Sequence, residues 1–551
     1  MTDERPGRTT IRVDAGRRLG TLPHNWTYIG YDEVNYTYTP EGQELLGKLG
    51  ALGDSPYYVR AHHLLCTGNC HGFYKWGSTN AYLEDEEGNP FYDWTFVDLV
   101  FDAILTHGGK PFVEIGFMPQ HLADPKCYDL AGDNWTSQAY RISGWACPPK
   151  DYGRWYDLVF GLVAHSVERY GECEVRRWYW ELWNEPDIFY WQGTQDEYYR
   201  LYDTTAAAVK AAFPTARIGG PSTTNPAPGS RALAFLDGFL DHCINGINAH
   251  TGETGTPLDF ITFHVKGGGY GADPLHRRQP PPSVQRILRD THAGYEVIRK
   301  YPGLDRLECV LSEIDPDGWA AGGAWDNANL NFRNTEYYPS FVAAAFDKVS
   351  RFARERDWDL RLLSWAFTFV GERCFEGTRT LSTQGIDKAI LNLFRMYAQM
   401  GDREIAFESD GEKAPLTHED SHGYGVRPDI AGFATSTDDG QTAVLVYNHH
   451  DDWGMAEPYE IRLVIDGLPT VDTPLTMSHY RIDQEHSNAY AEWVRQGRPM
   501  YPTPAQREAI KKRDGLELLE PARTVTPIAG TLELSFDLPV HGISLLLIET
   551  A

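Results

Sequence analysis

From about residue 24 to residue 400 the chain alternates short apolar runs, each closed by a turn signal, with longer stretches whose apolar residues recur at helical spacing. The candidate strands are residues 26–30, 57–65, 111–117, 178–183, 217–220, 259–265, 308–314 and 360–369. Between them the pattern predicts helices at 94–106, 151–170, 195–212, 232–243, 284–300 and 339–355, as in the stripe Leu158, Val159, Leu162, Val163 and Val167. Strands alternating with helices form parallel sheets, because a parallel connection needs a crossover, and the helices then bury both faces. Eight such units predict an α/β chain built on a (β/α)8 TIM barrel with long loops. An open doubly wound sheet is the competing fold, but no Gly-rich phosphate turn follows any of the eight runs.

A single core stops growing at about 250 to 300 residues, so a chain of 551 calls for a second unit. After about Gly401 the pattern changes to short runs at 443–447, 459–464, 531–536 and 543–548, separated by Asp, Gly and Pro turns. This predicts a C-terminal β-sandwich, interrupted by one helix at 503–512 that opens on Thr503-Pro504. The division expected is 1–22 as an N-terminal strand segment, 23–400 as the barrel and 401–551 as the sandwich. From the pattern alone the strand at 10–14 could join any neighbouring sheet.

In a barrel of this kind the active residues are polar groups at the carboxyl ends of strands. The fourth run, Trp178-Tyr179-Trp180-Glu181-Leu182-Trp183-Asn184-Glu185-Pro186, is aromatic and aliphatic until it stops in Asn-Glu-Pro. The second run ends in Arg60-Ala61-His62-His63 and the sixth in His264-Val265-Lys266. The seventh ends in Ser312-Glu313-Ile314-Asp315, and the eighth carries Trp365 and Phe367. Two carboxylates on different strands, among histidines and aromatics and without a metal cluster or Ser-His pairing, point to sugar chemistry.

Glycoside hydrolysis needs one carboxyl that stays protonated to feed the leaving oxygen and one that is ionised to attack or to activate water. Glu185 follows an apolar run, so burial favours the acid role, and Glu313 is expected in a more polar loop that favours the ionised form. Strands four and seven lie on opposite walls of the barrel mouth, and a separation of about 5 to 5.5 Å between their carboxyls would mean retention. Each residue also has a plain structural use. His62 and His63 suit satisfied core histidines, Arg60 an ion pair with a barrel carboxylate, and Lys266 a stem that reaches solvent. Glu181 suits a deeper hydrogen-bonded carboxylate, and Asp315 and Asp317 suit loop shaping. A non-catalytic carbohydrate-binding barrel, or a Schiff-base enzyme using Lys266, are the readings from other classes.

Acidic residues number 77 against 50 Lys plus Arg, a formal charge of -27 that repels nucleic acid and anionic membrane surfaces. No apolar run is long enough to span a bilayer and residues 1–8 carry no signal-peptide core, so a cytoplasmic location is expected. Eight cysteines include no CxxC pair and no zinc spacing, which predicts free thiols, no metal and no cofactor. The partner expected is an oligosaccharide or glycoside; oligomeric state is open, a homo-oligomer included.

The chain resembles the family 39 glycoside hydrolases at Tyr58-Val59-Arg60-Ala61-His62, at 111–119 (PFVEIGFMP), at 178–186 (WYWELWNEP) and at Arg217-Ile218-Gly219-Gly220-Pro221. The likeness continues at 259–267 (DFITFHVKG), Ser312-Glu313-Ile314-Asp315-Pro316, Tyr480-Arg481-Ile482-Asp483 and Ser487-Asn488-Ala489-Tyr490. The resemblance implies that Glu185 is the acid/base and Glu313 the nucleophile of a retaining enzyme. It implies that Asn184 holds the 2-hydroxyl, that Arg60, His62, His264 and Lys266 line the first sugar subsite, and that Trp365 is its apolar wall. It also implies that the N-terminal strand joins the sandwich. Within the family the likeness is to bacterial β-xylosidases, with residues 218–267 similar also to α-L-iduronidases. The eighth strand reads Ser364-Trp365-Ala366-Phe367, without the Asn-Asp pair of the iduronidases, and the charge of -27 repels an anionic substrate at long range. A β-xyloside is therefore the leading expectation and an α-L-arabinofuranoside the alternative, with the loops 66–82 and 318–333 expected at the pocket mouth.

Overall fold

A computed structural model describes residues 7–53, 56–72, 74–127, 144–271, 273, 275–319, 322–413, 427–468 and 474–550. The eight expected strands are Tyr28–Tyr31, Tyr58–Ala61, Lys110–Ile115, Tyr179–Leu182, Arg217–Thr223, Phe260–Lys266, Glu308–Asp315 and Leu360–Trp365. Each pairs in parallel with the next, and the eighth returns to the first through Leu363 opposite Tyr28, which closes the barrel. We number them one to eight in that order. Tyr28, Phe112, Tyr179, Phe260, Val310, Leu363 and Trp365 fill the interior as one packed layer. The Tyr179 ring lies 4.7 Å from Phe112 and 5.0 Å from Phe260.

The helices form where the apolar stripe and a cap coincide. Gln195–Ala212 opens on a capping box in which the Thr194 hydroxyl accepts from Glu197 N–H and the Glu197 carboxylate accepts from Thr194 N–H. Tyr152–Tyr170 opens on Asp151, whose carboxylate accepts from Gly153 and Arg154 N–H, and buries the stripe from Leu158 to Val163 against the barrel. Helices at Pro40–Gly50 and Ala389–Tyr397, outside the sequence expectation, complete the outer ring at either end of the barrel segment.

The second unit is a nine-stranded sheet in the order Glu517–Val525, Leu475–Ile482, Ile543–Thr550, Thr442–His449, Asp429–Ser436, Arg403–Ser409, Gly7–Thr21, Pro458–Asp466, Leu532–Pro539. The N-terminal strand lies inside it, antiparallel to Arg403–Ser409 with Ile11 opposite Ser409, and parallel to Pro458–Asp466 with Ile11 opposite Leu463. The period of two decides the faces. Phe433, Leu445, Tyr447, Leu545 and Leu547 pack with the barrel core. Their neighbours Ala434, Val444, Val446, Leu546 and Ile548 turn the other way and meet Ile11, Val13, Ile461, Leu463 and Met477 in a separate apolar core. The sheet thus folds over as a sandwich, with one outer face seated on the barrel. Tyr447 OH donates to Asp347 Oδ2 (2.9 Å) across that seam.

The helix at Pro504–Lys511 forms behind a Thr503 capping box with Gln506. A second short helix, Ala489–Arg495, precedes it, and Tyr490 and Trp493 pack on Cys374 and Phe375 of the loop after barrel strand eight. The expectation of free thiols holds for six cysteines and is corrected for two: Cys127 and Cys147 form a disulfide with Cα atoms 5.9 Å apart. The two lie 20 residues apart, a separation that matches no cysteine motif, so no spacing signals them. No helix among the described residues is long and apolar enough to cross a membrane.

Candidate active site

Beyond strand four, Trp183 (φ 66°) and Glu185 (φ 46°) take left-handed backbone conformations, as does Ser222 (φ 55°) on strand five. Such conformations cost about 1–3 kcal/mol each and persist where the surroundings over-determine them, most often at functional sites. Here the Trp183 N–H donates to the Ile115 carbonyl (3.2 Å), its indole N–H to the Tyr190 carbonyl (2.9 Å), and the Glu185 N–H to the Ser222 carbonyl (2.8 Å). Glu185 is thereby aimed into the barrel mouth with 17% of its side chain exposed.

Glu313 lies inside strand seven, not in the polar loop expected from sequence. The register against strand six slips between Leu311 and Glu313, so that Glu313 faces His264 and Asp315 faces Lys266. A bulge of this kind re-aims side chains without ending the strand. One donor atom from each of Glu185, His264 and Glu313 lies within 4.8 Å of the others, so the two carboxylates converge from opposite walls. These three groups could also supply donors to a metal ion, but Lys266 and Arg60 already place cationic charge on Glu313.

Arg60 is wholly buried and ties its own strand two to four others. Its Nε donates to Glu181 (2.5 Å), and its terminal nitrogens reach Glu114 (2.9 Å), Asn184 Oδ1 (3.0 Å), Ser222 Oγ (2.9 Å) and Glu313 Oε1 (3.4 Å). His62 shares Glu114 through Nδ1 (2.5 Å) and approaches Glu313 through Nε2 (3.5 Å). Ser222 Oγ meets His264 Nε2 at 2.9 Å, and His264 Nδ1 meets Glu185 Oε1 at 2.9 Å. Since Arg60 donates to Ser222, the chain that uses each group once has Ser222 O–H donating to His264 Nε2 and His264 Nδ1–H donating to Glu185. Lys266 Nζ donates to Glu313 Oε2 (2.5 Å) and to Asp315, and Asp315 also accepts from Arg379 (2.6 Å).

Burial, reinforced by the negative charge of Glu313, pushes the Glu185 carboxyl up to about 7, against the pull of Lys266 and His62. Burial alone would raise Glu313 too, but its carboxyl is held well below the ordinary range. Burial takes His264 down to about 3, so that imidazole is neutral at working pH and contributes no charge there. The groups that keep Glu313 ionised are therefore Lys266 and His62, with the Arg60 guanidinium behind them. Burial opposes charge on His62 as well, but the Glu114 carboxylate overcomes it and raises the imidazole to about 9.

The structure thus gathers Asn184, Glu185, Arg60, His62, His264, Lys266 and Glu313 around one point. Trp365 closes one side with its ring 4.4 Å from His62 and 5.4 Å from the Arg60 guanidinium, and a side chain at Gly30 would collide with it. Arg60 also makes the structural ion pairs considered from sequence, so its two uses coincide. Lys266, by contrast, is buried, its ammonium turned to Glu313 and Asp315. In the two loops expected at the mouth, Trp76 is buried 4.4 Å from the His63 ring, whereas Trp325 is 45% exposed with the Arg373 guanidinium 4.7 Å from its ring. Sequence reading passed over Glu114, Ser222 and Arg379. Glu114 carried a usable signal, a lone acid inside the apolar run of strand three; Ser222 and Arg379 carried none.

A curated β-xylosidase of Geobacillus stearothermophilus is 26% identical over 515 residues, covering 89% of this chain and 86% of the relative. An α-L-iduronidase of Mus musculus is 26% identical over 569 residues, covering 97% of this chain and 80% of the relative. Among solved structures, a bacterial orthologue of human α-L-iduronidase superposes with a TM-score of 0.76 at 22% identity, covering 99% of this chain and 84% of that one. The sequence model of the glycosyl hydrolases family 39 matches residues 9–527, and the chain belongs to that family.

Proposed function

We propose that this family 39 glycosidase is an exo-acting, retaining β-xylosidase that releases xylose from the non-reducing end of β-xylosides and xylo-oligosaccharides. The observation that carries the mechanism is the pairing of Glu185 and Glu313, with carboxylate oxygens within 4.8 Å of each other and acidities displaced in opposite directions. Inverting enzymes need room for a water, with carboxyls about 6.5–9.5 Å apart, whereas retaining ones hold them about 5–5.5 Å apart.

Protonated Glu185 gives its proton to the glycosidic oxygen while the Glu313 carboxylate attacks the anomeric carbon. The carbon–oxygen bond to the aglycone breaks and a glycosyl ester on Glu313 forms. Loss of the Glu313 charge removes a main cause of the raised Glu185 pKa, so Glu185 is then ready to act as base. It takes a proton from water, the hydroxyl attacks the anomeric carbon, and the ester bond breaks to regenerate both carboxyls. The His264 N–H steadies the ionised Glu185 between the two steps. Asn184, with its oxygen committed to Arg60, presents its amide nitrogen to the 2-hydroxyl.

The substrate assignment rests on likeness to β-xylosidases and on local charge. Lys266 is shared between Glu313 and Asp315, and Arg379 is bound to Asp315, so both buried cations are already balanced. That balance favours a neutral sugar over a uronic acid. Aryl β-xyloside, α-L-arabinofuranoside, β-glucoside and α-L-iduronide should be assayed in parallel. Highest kcat/KM on the xyloside is expected; preference for the arabinofuranoside or the iduronide replaces the substrate assignment, and no turnover of any favours the non-catalytic binding reading.

A further inference from the structure

We propose that Asp32 and Lys75 form a second sugar-reading pair, at the junction of barrel strands one and eight, that recognises a hydroxyl on the side of the ring away from the bond being cleaved. The inference rests on the glycosidase reading above and adds specificity-determining residues to it.

Asp32 follows strand one directly, and Lys75 comes from the loop after strand two. Lys75 Nζ donates to Asp32 Oδ2, and the same oxygen accepts the Trp365 indole N–H at 3.1 Å. Trp365 links this pair to the catalytic carboxylates. Its ring lies 4.4 Å from His62, which faces Glu313 at 3.5 Å, and its backbone N–H donates to Asp315 at 3.2 Å. Asp32, Lys75, Trp365, Phe369 and Arg379 line one cavity. The cavity is about 10 Å³, room for one hydroxyl-sized group. Trp365 and Arg379, which holds Asp315, are the walls it has in common with the site around Glu313.

Both members of the pair keep unused capacity. Among the described residues nothing donates to Asp32 Oδ1, and Lys75 Nζ donates to Asp32 alone, leaving two hydrogens. Here an acceptor and a donor of opposite charge stand side by side on a cavity wall beside an indole and a Phe369 ring, 5.5 Å from the ammonium. Burial works against charge on Asp32, yet Lys75, with His62 and Arg379, keeps it down at about 2, so the acceptor is ionised at working pH.

A sugar hydroxyl fits that arrangement on both counts. It donates O–H to Asp32 Oδ1 and accepts from Lys75 Nζ, and both bonds are charge-assisted. A ring without the hydroxyl would leave two buried charges facing nothing, which is how a site built around a hydroxyl discriminates strongly.

The test is a cycle between protein and substrate. The full chain, wild type and as Asp32→Asn, Asp32→Ala and Lys75→Met, is assayed on aryl β-xyloside and on its 2-, 3- and 4-deoxy analogues. For the wild type, loss of either the 3- or the 4-hydroxyl is expected to lower kcat/KM about 100-fold or more. In Asp32→Ala the same deletion should cost within about 3-fold, because its partner is gone, while the 2-deoxy penalty stays as in the wild type. Melting temperatures identify variants that fail to fold; Asp32→Asn keeps the size of the side chain, and the wild-type arm needs no variant. Wild-type indifference to both 3- and 4-deoxygenation, or equal losses in the variants on all four substrates, overturns the assignment while leaving the hydrolase reading standing. Absence of wild-type turnover on any glycoside of the wider panel overturns both.

Discussion

Lys266 reaches from strand six to strand seven, where its Nζ lies 2.5 Å from Glu313 Oε2 and is shared with Asp315. The proposed nucleophile therefore owes much of its charge to Lys266, beside His62 and Arg60, rather than to solvent. Lys266→Met removes that counter-charge at nearly constant volume. Because Lys266 lowers the Glu313 pKa, its removal should move the acid limb of the kcat/KM profile to higher pH. The loss of a charge-assisted hydrogen bond should cost about 10- to 100-fold at the optimum. An unmoved acid limb would show that Lys266 only fills space.

The basic limb belongs to Glu185, which must be protonated for the first step and is raised to about 7. Activity should fall as pH rises through about 7 and hold below the usual carboxylate range. On an aryl xyloside whose leaving group needs no proton, Glu185→Gln should lose that limb. The same shift has a sign for stability. A carboxyl whose pKa rises on folding binds more protons folded than unfolded, so stability falls between its unfolded value and about 7. Glu185→Gln removes that loss, and melting curves should show the variant stabilised relative to wild type more at pH 8 than at pH 5.

Much of the barrel could be read from sequence because every one of its strands is a compact apolar run bounded by turns. Two of the four C-terminal strands missed in the sandwich explain themselves. Asp429–Ser436 is rich in Ala and Gly, and Glu517–Val525 carries Pro521, which suits its place at the edge of the sheet. At the site, strand tips pointed to Glu185 and Glu313, but what sets their protonation lies in contacts distant in sequence. The bulge that brings Glu313 opposite His264, and the Glu114 carboxylate that charges His62, are products of register and packing. Asp32 has the least signal of all, since only closure of strand eight onto strand one gives it Trp365.

Arg60 supplies a further test, because its guanidinium meets Glu181, Glu114, Asn184, Ser222 and Glu313. Arg60→Met leaves buried Glu181 without its cation and Glu114 with His62 alone, a defect that costs about 3–5 kcal/mol. Denaturant unfolding should show a loss of that order. Arg60→Lys should recover little of it, since an ammonium cannot match the planar fork.

The thiols can be counted. The disulfide between Cys127 and Cys147 predicts six reactive thiols in the unfolded, unreduced protein and all eight after reduction. Eight before reduction would restore the free-thiol expectation and agree with a reducing compartment.

The most direct test of the double displacement is to trap its intermediate. Incubation with a 2-deoxy-2-fluoro-β-xylosyl fluoride, followed by peptide mapping, should place one fluoroxylosyl group on the Glu313 carboxylate, with activity lost in step with labelling. Ester formation on another residue, or hydrolysis with inverted configuration and no label, would contradict the account.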